Sequence, residues 1–215
     1  LRRGRNFMRV LKASLKNIKI ASETVKLGGL VVYPTDTVYG LGCDPFNIEA
    51  VKRVFKVKGD RRKPLPILAS DVQRVKEIAH LSKEAEKVAK RFWPGPLTVV
   101  LPQKLALPPL VTCNTDSVGV RVPKHDSALQ LIRLSGGLLV GTSANKTGAK
   151  PPKTAQEVAK QLGEEVDIIL DGGPVPLGVS SSVVDFTGTE PKLVRKGPVK
   201  LRDIQNVLRG TENAK

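Results

Sequence analysis

Hydroxyls, amides and cations recur in this sequence at positions where they could do chemistry. Three polar clusters each follow a short apolar run. Residues 30–33 lead into Pro34-Thr35-Asp36-Thr37-Val38-Tyr39-Gly40-Leu41-Gly42, residues 138–140 into Gly141-Thr142-Ser143-Ala144-Asn145, and residues 166–170 into Asp171-Gly172-Gly173. Pro34 cannot donate to a sheet ladder, so it closes the first run. The glycines that follow let the backbone turn tightly. A fourth cluster is cationic: Lys56, Lys58, Arg61, Arg62 and Lys63 fall within eight positions. Lysine offers a mobile point charge and arginine a planar fork, and both suit phosphate oxygens. The cluster is not a Walker loop, whose Gly-x-x-x-x-Gly-Lys-Ser/Thr spacing is absent.

The inventory excludes several kinds of chemistry. Two cysteines, Cys43 and Cys113, make no disulfide framework, which fits a reducing cytosol. Two histidines, His80 and His125, with no Cys-x-x-Cys, argue against zinc. Neither histidine lies in a nucleophile-elbow context. No apolar run reaches the length of a membrane span, and no secretory signal is visible. The net charge of +16 points to an anionic partner. Seven of the positive charges precede the first acid, Glu23, and the chain opens without Met, leaving Met8 as a candidate start. An aromatic fraction of 4% leaves little for stacking nucleic-acid bases.

The elements that position these clusters can be read from periodicity. Apolar spacing predicts a helix over 18–27 closed by Gly28-Gly29, then a buried strand from 30. Asn47 reads as the N-cap of a helix with Ile48, Val51, Val54 and Phe55 on one face. The cationic cluster runs from the end of that helix to a strand over 65–69. Asp71 and Ser82 cap helices over 72–80 and 83–92, and Trp93-Pro94-Gly95-Pro96 stops the second. Strands over 97–101 and 118–123 flank a proline-containing loop at 105–110. Arg121 stands in the second strand, and a buried arginine needs a partner. Periodicity favours a structural pair with Asp116 over a ligand carboxylate. Asp126 and Thr154 cap two more helices, with strands over 138–140, 166–170, 180–184 and 193–195 and a helix over 200–208. The whole reads as one α/β domain over 10–210 with a single twisted, mixed sheet, between a basic arm or upstream remnant at 1–9 and a tail at 211–215.

Taken in order, a set of segments resembles the YrdC-type threonylcarbamoyl-AMP synthase family. They are Tyr33 to Gly42, Lys58-Gly59 with the basic loop into Lys63-Pro64-Leu65, Trp93-Pro94-Gly95-Pro96-Leu97-Thr98, Val120-Arg121-Val122-Pro123, Ser143-Ala144-Asn145, Asp171-Gly172-Gly173 and Arg195-Lys196-Gly197-Pro198. The resemblance implies an α/β fold around a basic concave groove and a cytoplasmic nucleotidyltransferase. Its reaction joins L-threonine, bicarbonate and ATP, with Mg2+, into threonylcarbamoyl-AMP and pyrophosphate. A Kae-type transferase then uses the product on the tRNA adenosine next to the anticodon. By the same resemblance Lys58, Arg61, Arg62, Lys63, Ser117, Ser143, Asn145 and Arg195 face ATP, with Lys58 and Arg61 offsetting charge during catalysis. Thr37, Arg121, Gly141 and Ser181 face threonine. Arg121 becomes the fork for the threonine carboxylate, against the preference from periodicity. No side-chain nucleophile or protein metal ligand is implied, and Asp36 is a candidate base for the threonine amine.

The sequence also departs from the family pattern. The basic loop is one residue short of the usual spacing, so Arg61 and Arg62 both remain candidates for the family's arginine. Leu68 stands where many relatives carry histidine, Ser182 where threonine is usual, and Pro152 where some carry serine. The chain resembles the short, single-domain form, and the arm at 1–9 or the loop 146–153 is the candidate lid. Two other readings compete: a non-catalytic module for tRNA or double-stranded RNA, and the carbamoyl-adenylate chemistry of hydrogenase-maturation relatives.

Overall fold

The computed structural model describes residues 8–59 and 63–210. Arg61 and Arg62, and the amino-terminal arm up to residue 7, lie outside the described residues. The chain begins with β1 (Arg9–Lys12), α1 (Leu15–Lys26), β2 (Val31–Tyr33), β3 (Gly40–Gly42), α2 (Ile48–Lys58) and β4 (Ile67–Ala69). It continues through α3 (Val72–Ile78), α4 (Lys83–Phe92), β5 (Leu97–Pro102), α5 (Pro109–Thr112), β6 (Ser117–Arg121) and α6 (Asp126–Leu134). The rest is β7 (Leu138–Val140), β8 (Thr142–Ser143), α7 (Ala155–Leu162), β9 (Ile168–Asp171), β10 (Ser182–Asp185), β11 (Lys192–Arg195) and α8 (Leu201–Arg209).

The caps expected for α2, α3, α4 and α7 form as the side-chain chemistry dictates. Asn47, Asp71, Ser82 and Thr154 each accept from the backbone N–H three residues on, at 3.0–3.2 Å. Asp126 is different: it is the first helical residue of α6, and His125 holds the cap position without a side-chain bond. Helix α1 starts three residues earlier than its apolar spacing suggests, because Ser14 caps it.

The strands form two mixed sheets, not the single sheet expected. One has the order β1-β9-β2-β3-β8 and the other β11-β10-β5-β6-β4-β7. The first sheet holds three elements that sequence reasoning missed, among them the two-residue β8. Strand β1 pairs in parallel with β9, Arg9 opposite Ile168. The segment Gly40–Gly42, read as a turn, is a strand antiparallel to β2, with Tyr33 opposite Gly40 and Val31 opposite Gly42. Neither glycine has a positive φ. They are small because the Tyr33 ring lies on them: an added Cβ would come within 3.1 Å of that ring at Gly40 and 2.8 Å at Gly42.

Alternation along the strands divides the core in two. Leu30 and Val32 join a main core that also takes Val51, Val54, Val88, Val99 and Val120. Val31 and Tyr33 face a second core with Ile168 and Leu170, covered by Ile18, Ala21 and Val25 of α1 and Leu131 and Ile132 of α6. Both faces of β2 and β9 are therefore buried, which explains their unbroken apolar sequence. The two sheets meet at one residue: Gly141 alone separates β7 in one sheet from β8 in the other. A backbone bond crosses the seam, from the Val140 N–H of β7 to the Cys43 carbonyl just after β3 at 2.9 Å.

This packing makes Gly42 intolerant of a methyl group. A Cβ there would sit 2.7 Å from the Val140 carbonyl oxygen, a backbone atom fixed by the seam. Gly42→Ala is expected to lower stability by about 1–3 kcal/mol, the usual cost of overpacking. Urea denaturation checks this, and an unchanged midpoint contradicts it.

A candidate anion-binding site at the seam of two sheets

A cavity of about 420 Å³ opens at this seam. One wall comes from the β2–β3 turn with Thr37 and from Gly141, Thr142 and Ser143. The facing wall comes from β4, β5, β6, β10 and β11 of the other sheet. Of the residues singled out in the sequence, Thr37, Lys58, Lys63, Ser117, Arg121, Gly141, Ser143, Ser181 and Arg195 line it together. Asn145 does not, and Arg61 and Arg62 lie outside the described residues.

Arg121, at the end of β6, is 5% exposed. Its structural partner is Asp36, not Asp116: Nη2 donates to Asp36 Oδ1 at 2.5 Å. Nε donates to the Gly95 carbonyl at 2.9 Å, and Nη1 to Thr37 Oγ1 at 2.9 Å. Burial pulls the Arg121 pKa below its ordinary value, and the Asp36 carboxylate opposes that shift. Three of the five N–H groups are used in these bonds. Two remain on the terminal nitrogens, and Arg121 lines the cavity.

Asp36 is thereby committed through Oδ1, while Oδ2 is buried without a hydrogen-bond partner among the described residues. Oδ1 also accepts the Lys124 N–H at 3.0 Å, the residue is buried, and it does not line the cavity. A base for a bound amine has to reach it, so Asp36 is a positioning group for Arg121 instead. Thr37 is held as tightly. The Thr35 hydroxyl gives its one hydrogen to the Val38 carbonyl at 2.7 Å, so in the 3.0 Å contact between the two threonines Thr37 is the donor. With Arg121 on one lone pair, Thr37 Oγ1 keeps one acceptor position for a ligand.

Lys58 is not the mobile clamp that the cationic cluster implied. It is 1% exposed, and its ammonium donates to the carbonyls of Ser143 and Asn145, both at 2.6 Å. In return its own carbonyl accepts from the Thr147 hydroxyl at 2.7 Å. Asn145 works from behind the wall: Nδ2 ties the Lys146 and Ala149 carbonyls at 2.9 and 2.7 Å, which shapes the loop after β8. That loop, a candidate lid, has exposed residues from 146 to 150 and a surface pair between Lys146 and Glu165 at 3.0 Å. Arg195 on β11 grips Ser181, Nε on its carbonyl and Nη2 on its hydroxyl, both at 3.0 Å.

The departures also find places. Leu68 lines the cavity and fills the space beside Gly141, where a Cβ would come within 2.3 Å of it. Ser182 lies in the core, exchanging bonds with the Val199 backbone at 2.6 and 2.9 Å. Pro152 is buried and its carbonyl accepts the Tyr39 N–H at 3.1 Å. The Tyr39 phenol donates to the Gly173 carbonyl at 2.8 Å, and burial pushes its pKa up to about 12. Asp171-Gly172-Gly173 thus serves Tyr39 and is not part of the cavity wall. Sequence reasoning missed the Asp36–Arg121 pair, the Gly95 carbonyl and the Thr98 hydroxyl. The first joins residues 85 apart in the chain, which no local pattern encodes.

A buried pair of this kind makes a sharp prediction. Asp36→Ala leaves the Arg121 charge uncompensated and is expected to cost about 3–5 kcal/mol of stability. The double variant Asp36→Ala with Arg121→Met removes both charges and should recover most of the loss. Denaturant titration of the three proteins checks this, and a double variant no more stable than Asp36→Ala contradicts it.

Comparison with known proteins gives the site a context. The Sua5/YciO/YrdC family model, described as telomere recombination, matches residues 23–197. The threonylcarbamoyl-AMP synthase of Pyrococcus abyssi (strain GE5 / Orsay) is 42% identical over 193 residues, 89% of this chain and 57% of that protein. That of Bacillus subtilis (strain 168) is 38% identical over 191 residues, 87% of this chain and 55% of that protein. The chain therefore spans little more than half the length of these two relatives. The crystal structure of P. abyssi Sua5 complexed with L-threonine superimposes with a TM-score of 0.88 at 39% identity, covering 93% of this chain and 60% of that one.

Proposed function

The chain belongs to the Sua5/YciO/YrdC family, and from that premise we propose that it joins L-threonine, bicarbonate and ATP into threonylcarbamoyl-AMP and pyrophosphate. The observation that carries this reading is the gathering of Arg121, Arg195, Lys58, Lys63 and the hydroxyls of Thr37, Ser143 and Ser181 around one cavity. The threonine complex of the P. abyssi relative supports it.

The chemistry asks for this arrangement. An anionic carbamate must approach the α-phosphate of a nucleotide, and two anions repel unless cations offset the charge. In this reading the two remaining N–H groups of Arg121 hold the threonine carboxylate. The open lone pair of Thr37 accepts from the amine. Lys63 and Arg195 face the triphosphate, with Arg61 or Arg62 completing that side, and Ser117, Ser143 and Asn145 shape the nucleotide wall. Fixing both reactants in one hollow lowers the barrier further by removing the entropy of their encounter. Among the described residues no group of three His, Cys, Asp or Glu could hold a metal ion. Magnesium bound with the triphosphate would neutralise its oxygens, and the Ser143 hydroxyl at the cavity wall could help hold it. No helix among the described residues is long and apolar enough to cross a membrane, and we read the enzyme as cytoplasmic. The product is a mixed anhydride, a form suited to a transferase of the Kae type acting on tRNA. An RNA-binding module without catalysis would need the positive charge but not a buried carboxylate fork.

Incorporation of radiolabelled bicarbonate into an adenylate, followed with pyrophosphate release, tests the reading. Both should require L-threonine. Salt-sensitive RNA binding without turnover favours the binding module. Arg121→Ala should lower kcat/KM for threonine by about 100-fold or more, the worth of two charge-assisted hydrogen bonds. Near-normal turnover in that variant removes the carboxylate assignment.

A further inference from the structure

One pair of hydroxyls in the cavity has more hydrogen-bonding capacity than the roles above use. Thr98, in β5, is 5% exposed, and Ser181, just before β10, is 4% exposed; both line the cavity. Their oxygens are 2.9 Å apart. Thr98 is fixed in that pose from its other side, where its methyl lies against Gly119: a Cβ on that glycine would come within 3.4 Å of it.

Each hydroxyl carries one hydrogen. Their mutual contact uses one of the two, whichever oxygen donates. The Ser181 oxygen also accepts from Arg195, which uses a lone pair and no hydrogen. The second hydrogen has no acceptor among the described residues, so one buried O–H is left uncommitted in the cavity wall beside a guanidinium. A buried donor without an acceptor is costly, and a donor next to a cation in a low-dielectric pocket bonds most strongly to an anionic oxygen. The position is also telling. The Gly95 carbonyl that holds Arg121 lies three residues before Thr98, and the serine that holds Arg195 is Thr98's own partner. The uncommitted hydrogen therefore stands between the fork assigned to the threonine carboxylate and the one assigned to the triphosphate.

We propose that Thr98 and Ser181, with Arg195 behind them, form the subsite for a small planar oxyanion of the bicarbonate class. The proposal rests on the reading of the cavity as a threonylcarbamoyl-AMP synthase site. Because the hydrogen can be presented from either oxygen, the pair follows a carboxyl-type oxygen as it shifts within the pocket. A phosphate oxygen of the nucleotide has the same hydrogen-bonding chemistry, and the test separates the two sources.

Thr98→Val keeps the shape and removes the hydroxyl; Thr98→Ser keeps the hydroxyl. The KM values for bicarbonate, ATP and L-threonine are measured separately by pyrophosphate release, and the broadening of the [13C]bicarbonate resonance is followed without nucleotide. Thr98→Val should raise the bicarbonate KM by about 10- to 100-fold, the worth of one hydrogen bond to a charged group, and abolish the broadening. Thr98→Ser should restore both, and the KM values for ATP and threonine should stay unchanged. A rise confined to the KM of ATP or of threonine overturns the proposal, in favour of a phosphate contact or of the threonine contact that the resemblance assigns to Ser181. Equal losses in Thr98→Val and Thr98→Ser overturn it in favour of a packing role. If the wild-type chain shows no threonine-dependent pyrophosphate release, the synthase reading fails; broadening lost only in Thr98→Val then still supports the anion subsite, and broadening unchanged in Thr98→Val overturns it.

Discussion

A guanidinium buried where two sheets meet is the constraint from which the rest of this site follows. Arg121 cannot stay charged there without a carboxylate, and Asp36 supplies one from the opposite sheet. That requirement fixes the β2–β3 turn against the end of β6. It places Thr37 on the guanidinium, Thr35 on Thr37, and the Gly95 carbonyl on Nε. The Trp93-Pro94-Gly95-Pro96 turn is thereby part of the site as well as a helix stop. Trp93 braces the turn by donating from its indole to the Leu97 carbonyl at 2.7 Å.

The seam imposes a second constraint. A single residue, Gly141, carries the chain from one sheet into the other, so nothing larger fits beside Leu68 at the corner. Lys58 then pins the far side of the seam by holding the Ser143 and Asn145 carbonyls while Thr147 holds the carbonyl of Lys58. The reciprocal bonds make the end of α2 and the loop after β8 one mechanical unit. A nucleotide that engages Ser143 must therefore act on Lys58 too, through backbone already in place.

Much of this was legible from residue types. The caps at Asn47, Asp71, Ser82 and Thr154, the strand over 138–140 and the turn after α4 all follow from local chemistry. What local pattern could not carry was anything decided across the seam. Gly40 and Gly42 look like turn formers; only the Tyr33 ring lying on them shows why they belong in a strand. Two sheets looked like one because strand-length apolar runs do not record which neighbour they pair with. Arg121 was matched with the nearest acid in sequence, Asp116, when its partner was Asp36. Lys58 was read with its cationic neighbours, yet it lies at the buried end of a helix and turns inward. Family resemblance could name these residues; it could not say which were held and which were open.

How the cations are held bears on what the cavity can attract. At the surface, Lys26, Lys52 and Arg74 meet carboxylates of Glu23, Glu49 and Glu77 one helical turn away. Around the cavity, Lys58 donates to the backbone carbonyls of Ser143 and Asn145, and Arg195 to the carbonyl and hydroxyl of Ser181. Such oxygens orient a cation. Arg121 is the contrast: its charge is balanced by Asp36, and what it offers is shape, a planar pair of N–H groups. In the proposed reaction, which brings two anions together, both arrangements help. Oriented cations lower the repulsion between the reactants, and a balanced fork selects the carboxylate among the anions the field draws in.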